Sequence, residues 1–368
     1  MRQALNNEKI REVYLKMKKL PLAFDGNKKK IFNWIMPLLV QELQDADIIL
    51  DGFSGTGIIS AFLAMHNHQI YACDMLYSAH ALTTTLSQNP GENISDEELN
   101  ALASHRCIDG VVFDHDGEID VHSDVYNEYP GIFTKNEALW LAHINSKIGF
   151  ASPYKQLIAH CAIRGISTII PFSSSNGTKK FQYRIYQKDK YQQRCLGFYY
   201  NSSYEIEYIK WFKHYVMAFN DAVNYFATNR QRDAIVYHDD IFNVLERGIK
   251  FDAAYLDPPY GRKNRISYEK MYAMQERLLG ADEIPHAIFS NPEDHAKNFI
   301  KLLEACHDIP KIIFSYDNNS WASINEISLI CKRFGRTIDI LSTEHCHGKI
   351  PMDSHNSKTA ENLIIAKK

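Results

Sequence analysis

Residues 257–260 read Asp-Pro-Pro-Tyr at the end of an apolar run, "AAYLDPPYGR" (253–262). A carboxylate, two rigid residues and an aromatic ring in succession suit one kind of chemistry. An amine attached to an aromatic ring is a poor nucleophile, because its lone pair is delocalised into the ring. Acceptors on its two hydrogens help the nitrogen become tetrahedral as it attacks. Asp257 supplies one acceptor and the Pro258 carbonyl the other. Pro258 and Pro259 hold φ nearly fixed, so that carbonyl is preorganised. Tyr260 stacks on the ring, a contact worth about 1–3 kcal/mol in proteins that bind single strands. The plainer alternative is a pair of prolines that merely stops a strand. It leaves the acid and the aromatic unexplained. Prolines lack the N–H of a central strand, so their place is the strand's carboxyl end, where open α/β sheets bind ligands.

A second stretch, "DGFSGTG" (51–57), puts glycines at 52, 55 and 57 between a strand and a helix. Glycine there permits a tight turn and lets a ligand touch the backbone. The spacing is not the GxGxxG of dinucleotide folds, which weakens a nicotinamide or flavin reading. Asp74 ends the next strand, where an acid accepts hydrogen bonds from ribose hydroxyls. A ribose without an obligatory diphosphate fits S-adenosylmethionine, with Asp51, Phe53, Gly55, Gly57 and Asp74 as its candidate binding residues. A nucleophile then attacks the sulfonium methyl directly, with no covalent enzyme intermediate and no metal. The competing reading of the glycines is a turn that only connects strand to helix.

The elements that must position these residues follow from periodicity. Residues 28–43 read as helix, 46–65 as strand, turn and helix, 68–74 as strand, and the stretch after Asp74 as helix. This rhythm implies a doubly wound α/β sheet. It breaks between Gly91 and Pro130, which hold eleven acids and one basic residue, Arg106. It resumes with an amphipathic helix at 204–228, strands at 233–240, 251–260 and 310–318, and a helix that ends at Gly335. "TIDILST" and "ENLIIAK" read as a closing antiparallel pair. The domains expected are a discontinuous catalytic one, 1–95 with 204–368, and an inserted one, 96–203.

The 368 residues carry a net charge of −3, with 45% hydrophobic and 23% charged residues. No overall basic character announces a nucleic acid, so such a partner must meet a local patch. No apolar run reaches about 18 residues, so no membrane helix is expected. The N-terminal pattern lacks the apolar middle of a signal peptide. The seven cysteines have no framework spacing and read as free thiols in a reducing cytoplasm. "HCHG" (345–348) has no second ligand pair at a useful spacing and reads as a polar loop, so no metal is expected.

With both motifs in view, the order "DGFSGTG" then "DPPY" resembles the S-adenosylmethionine-dependent amino-methyltransferases of DNA. It resembles most their alpha group, the adenine-N6 branch that includes the Dam-like enzymes. That resemblance implies a Rossmann-like methyltransferase sheet with an inserted target-recognition domain. "PLAFDGNKKKIFNWI" (21–35) looks like the family's first block, with Phe24, Gly26 and Lys28 in its aromatic–x–Gly–x–Lys pattern. The resemblance implies that Phe24 and Lys28 lie near the methionine part of the cofactor. Asn27 departs from the small residue more usual there. "HDDIF" (238–242) resembles the segment that flanks the cofactor adenine, which carries over to Asp240 and Ile241. Asp240 also suits a helix N-cap.

The insert has one local signal. "KKFQYRIYQKDKYQQR" (179–194) holds six basic residues against one acid, interleaved with Phe181, Tyr183, Tyr186 and Tyr191. Lys179, Lys180 and Arg184 suit phosphate contact, with the aromatics for stacking. A solvated hairpin fits the same residues. "GRKNRISY" (261–268) adds Arg262, Lys263 and Arg265 beside the tetrapeptide. The expected partner is double-stranded DNA, from which the base is flipped out. A cognate restriction endonuclease belongs to the same picture. An RNA adenine, the N4 amine of a DNA cytosine, or a catalytically dead nucleic-acid-binding module are the alternatives.

Overall fold

The computed structural model describes residues 7–22, 28–103, 106–108, 111–114, 117–119, 135–169, 204–259, 268–281, 289, 294–318, 320, 322–345 and 359–368. In chain order the strands are β1 (Ile48–Asp51), β2 (Gln69–Asp74), β3 (Arg106–Ile108), β4 (Val111–Asp114), β5 (Gly117–Ile119), β6 (Ile235–His238), β7 (Ala253–Leu256), β8 (Lys311–Asp317), β9 (Thr337–His345) and β10 (Thr359–Lys367). The helices are α1 (Asn7–Lys18), α2 (Phe32–Leu43), α3 (Ile58–Ala64), α4 (Tyr77–Ser87), α5 (Asp96–Leu102), α6 (Lys135–Lys147), α7 (Pro153–Ile169), α8 (Tyr204–Asn229), α9 (Ile241–Leu245), α10 (Tyr268–Leu278), α11 (His295–Ala305) and α12 (Ile324–Arg333).

Seven strands form one sheet in the order β6-β2-β1-β7-β8-β10-β9. Neighbours from β6 to β8 pair in parallel, and β10 runs antiparallel to both β8 and β9. This is the mixed α/β sheet of a Rossmann-like methyltransferase fold, with the expected closing antiparallel pair. The strands are apolar on both faces because helices cover both. Ile49, Ala253, Tyr255, Ile313 and Leu363 join one core with α1 to α4 and α8. Their alternate neighbours Leu50, Ala254, Leu256, Ile312 and Ile364 join the other with α9, α11 and α12. α5, α6 and α7, which fall in the segment expected to be inserted, contribute Leu99, Trp140 and Ile158 to the first of these cores. The short strands β3, β4 and β5 make a separate antiparallel sheet.

From β1 the chain winds outward through β2 to β6, then crosses back to β7 and β8 on the other side. The carboxyl ends of β1 and β7 therefore flank the point where winding reverses, the crevice that binds ligands in open α/β sheets. The expected helix at 28–43 is split into a short 3₁₀ turn at Lys28–Lys30 and α2. Among the described residues, no helix is long and apolar enough to cross a membrane. Cys73, Cys161, Cys306 and Cys331 are buried free thiols.

The turn from β1 to α3 depends on Gly57, whose φ is 71°. A Cβ there would also lie 2.5 Å from the Thr83 Cα on α4. Gly57→Ala should therefore lower stability by at least about 1–3 kcal/mol, the usual cost of a non-glycine residue in the left-handed region. Urea unfolding measures this, and an unchanged midpoint would mean that the turn does not hold this conformation.

Candidate active site

Register brings the two motifs together. β1 and β7 pair with Asp51 opposite Tyr255, and the Gly52 N–H donates to the Tyr255 carbonyl at 3.0 Å. Asp257 thus emerges from β7 beside the glycine turn, near enough for the Asp51 charge to act on it. Pro258 is buried and Pro259 half-buried just past the strand end, where the missing proline N–H interrupts no ladder.

Lys28 crosses from the 3₁₀ turn into this corner. Its Nζ lies 2.9 Å from Asp257 Oδ1 and 2.8 Å from Oδ2. It also lies 3.0 Å from Glu361 Oε1 on β10. The Ser315 hydroxyl on β8 donates to that same Glu361 oxygen at 2.5 Å. Lys28 is 4% exposed and Glu361 1%. Burial works against the Lys28 charge, but Asp257 and Glu361 outweigh it and hold its pKa well above the ordinary lysine value. Burial pushes Asp257 up, to about 7; Lys28 pulls it down, and Glu361 and Asp51 add to the rise.

A second group of acids lines the same edge. Asp74 accepts the Gly55 N–H at 2.9 Å and the Leu76 N–H at 3.0 Å. Burial raises it to about 6, against the pull of those two amides. Asp51 Oδ2 accepts the Ser60 hydroxyl at 2.6 Å, whereas its Oδ1 has no hydrogen-bond partner among the described residues. Burial raises Asp51 to about 7, opposed by Ser60 and reinforced by Asp74. Phe53 meets Phe289 edge-on at 5.6 Å.

Asp240 accepts the Phe242 N–H at 2.8 Å and caps α9, which satisfies one of the helix's orphan donors. It is also close enough to act, with Asp51, Asp74 and Asp239, on the buried Cys73 thiol. Ile241 is 4% exposed and packs beneath Gly52, where a Cβ would meet its Cδ1 at 2.4 Å. The structure therefore gathers Lys28 with Asp257, and Asp51, Gly55 and Gly57 with Asp74, along one sheet edge. It puts Ile241 in the core beneath that edge. Phe24, Tyr260, Arg262, Lys263, Arg265, Lys179, Lys180 and Arg184 lie outside the described residues.

Three participants escaped sequence reasoning. Glu361 and Ser315 belong to strands read only for their apolar pattern. The available signal was a carboxylate shortly before the apolar stretch of "ENLIIAK". Glu276 of α10 is fully buried and accepts the Tyr77 and Ser78 N–H groups at 2.7 and 3.1 Å. It tethers α10, the first described element after Pro259, to the start of α4, just past Asp74. No local pattern marks it, because both partners are distant in the chain.

No protein-family model matches the chain. It is 27% identical over 350 residues to the Type II methyltransferase M2.HphI of Haemophilus parahaemolyticus. The match covers 92% of this chain and 95% of that protein. The methyltransferase resemblance read from two short motifs thus extends along nearly the whole chain.

Removing the cation tests the buried cluster. Lys28→Met leaves Asp257 and Glu361 buried together, and breaking a buried pair in this way costs about 3–5 kcal/mol. Without Lys28 the Asp257 pKa rises further above its unfolded value. The folded variant then holds a proton on Asp257 at pH values where the parent does not, so the deficit should narrow as pH falls from about 9 towards 7 and level off below, where both folded proteins carry the proton. Urea unfolding of both proteins across that range measures it. A deficit that widens on acidification would contradict the arrangement.

Proposed function

We propose that this chain is a site-specific DNA methyltransferase that joins a methyl group to the exocyclic N6 amine of an adenine flipped out of the duplex. The single observation that carries the reading is the delivery of Asp257, ahead of two prolines, to the sheet's switch point beside the glycine turn that follows β1. Similarity to a Type II methyltransferase over nearly the full length supports it.

The residues present fit S-adenosylmethionine. Asp74 retains lone pairs beyond its two amide contacts, which suit ribose hydroxyls. Asp51 Oδ1, an acceptor without a hydrogen-bond partner among the described residues, suits a donor such as an ammonium. Gly55 and Gly57 keep the turn free of side chains. Phe24, Phe53, Asp240 and Ile241 complete the proposed binding residues, with Ile241 acting from beneath as the support of the turn. When bound, S-adenosylmethionine supplies a methyl group whose departure leaves the bonding pair on sulfur.

Asp257 accepts a hydrogen bond from one hydrogen of the amine, and the Pro258 carbonyl accepts the other. Both contacts strengthen as the nitrogen becomes tetrahedral, so they favour the transition state over the ground state. The nitrogen gains the methyl carbon and afterwards loses a proton. Tyr260 stacks on the base. Lys28 keeps the Asp257 carboxylate oriented and ionised. Arg262, Lys263 and Arg265 are the proposed contacts to the strand that yields the base. Residues 96–203 are the proposed recognition segment, with Lys179, Lys180 and Arg184 on phosphates and α7 as its anchor to the catalytic core.

The assay is methyl transfer from labelled S-adenosylmethionine to duplex DNA, single-stranded DNA and RNA, followed by nucleoside analysis. The expected product is N6-methyladenine in duplex DNA. Methylcytosine, or transfer to RNA alone, would refute the adenine-in-DNA reading, and binding without transfer would leave only a nucleic-acid-binding module. Asp257→Ala should reduce kcat by about 10²–10³, the usual cost of losing a transition-state contact, while leaving S-adenosylmethionine binding within a fewfold. Because Asp257 acts as an acceptor, kcat/KM of the parent enzyme should fall as pH drops through about 7.

A further inference from the structure

We infer that Glu361 is a positioning residue for the transfer step, sharing Lys28 with Asp257 and thereby setting how strongly the ammonium holds the acid that faces the amine. The inference rests on the functional reading above.

Glu361 occupies a costly place. It sits on β10 opposite Asp317, and Leu363, Ile364 and Ile365 farther along that strand are at most 1% exposed. An apolar residue at 361 would avoid the several kcal/mol that a buried ion loses in hydration. The strand departs from an apolar choice at Glu361 and Asn362; Asn362 donates to the Tyr316 carbonyl, and Glu361 reaches Lys28. The Ser315 hydroxyl fixes the same oxygen that lies 3.0 Å from Lys28 Nζ. Ser315, on the neighbouring β8, thus locks the direction of the carboxylate.

The consequence for Asp257 is electrostatic. With Glu361 absent, the ammonium would lose its contact with that carboxylate and hold Asp257 more tightly. Its carboxylate would then be a weaker acceptor for another donor, because its lone pairs would be drawn to the lysine. With Glu361 present, the cation is divided between two carboxylates and Asp257 retains capacity for the amine. The charged and titratable groups acting on Asp257, among the described residues, are Lys28 from the 3₁₀ turn, Glu361 from β10 and Asp51 from the end of β1. The Tyr255 phenol on its own strand is also in reach. Asp317 instead receives the Ser320 hydroxyl at 2.6 Å.

The test is a pair of pH titrations. Glu361→Gln keeps the shape and removes the charge. The acid limb of its kcat/KM profile should move to lower pH by about one unit, as loss of a nearby like charge requires. Its kcat at the plateau should fall roughly tenfold, a fraction of the loss of a whole transition-state contact, with KM for S-adenosylmethionine unchanged. Glu361→Asp, which restores the charge, should return the limb towards the parent position.

Carbon-13 titration of the Asp257 carboxyl reads the same coupling without turnover, and its midpoint should drop in Glu361→Gln. Glu361→Asp serves as the second variant: it keeps the charge, so its Asp257 midpoint should stay close to the parent's. Identical Asp257 midpoints in parent and Glu361→Gln, or a midpoint in Glu361→Asp as low as in Glu361→Gln, would overturn the inference. A parent protein that transfers no methyl group, while the Asp257 midpoint still drops in Glu361→Gln, would refute the functional reading and leave the coupling standing.

Discussion

The buried Lys28 ammonium ties the carboxyl ends of the central strands to the closing strand. Lys28 meets Asp257 at 2.8 Å and Glu361 at 3.0 Å, three residues from widely separated parts of the chain. At an effective dielectric of about 20, each contact is worth roughly 5–6 kcal/mol before desolvation is counted. Most of that is spent on stripping water from the ions. The two carboxylates are therefore tolerable only while the ammonium lies between them, and a chain in which Lys28 is misplaced leaves both acids buried without a counter-charge. Correct docking of the 28–30 turn, the end of β7 and the closing strand β10 is thus a joint requirement.

The sheet makes that requirement easy to meet. β10 inserts antiparallel between β8 and β9, and β8 pairs with β7. Ser315, Glu361 and Asp257 consequently approach one another through backbone ladders before any side chain is chosen. On the other side of the switch point, β2 brings Asp74 under the Gly55 amide. Two carboxylate clusters thus flank one crevice, and they differ in their compensation. Asp257 is held by a cation, whereas Asp74 is held by backbone amides. The first arrangement suits an acid that must accept from a reacting amine, and the second an acid that binds hydroxyls without changing charge.

Packing beneath the edge is as constrained as the edge itself. Gly52 leaves room for Ile241 and Leu256, and Gly57 for Thr83. Glu276 closes the start of α4, so α10 is pinned beside Asp74. A motion of α10 would have to release those amides.

The sequence by itself determined the alternation of strands and helices, the closing antiparallel pair, the glycine turn and the tetrapeptide. Each of these rests on local physics: apolar period, glycine's access to positive φ, and proline's missing donor. Asp240's capping role was also legible, because a cap acts within its own helix. Only the tertiary structure decided that Lys28 belongs with Asp257, that Glu361 and Ser315 complete its surroundings, and that Glu276 caps α4. It also decided that Ile241 supports the turn from the core and that α7 joins the helical layer over the seven-stranded sheet. These depend on strand order and register, which bring distant residues within a few ångströms. No local periodicity encodes them, because an ion pair across a sheet leaves no spacing in the chain.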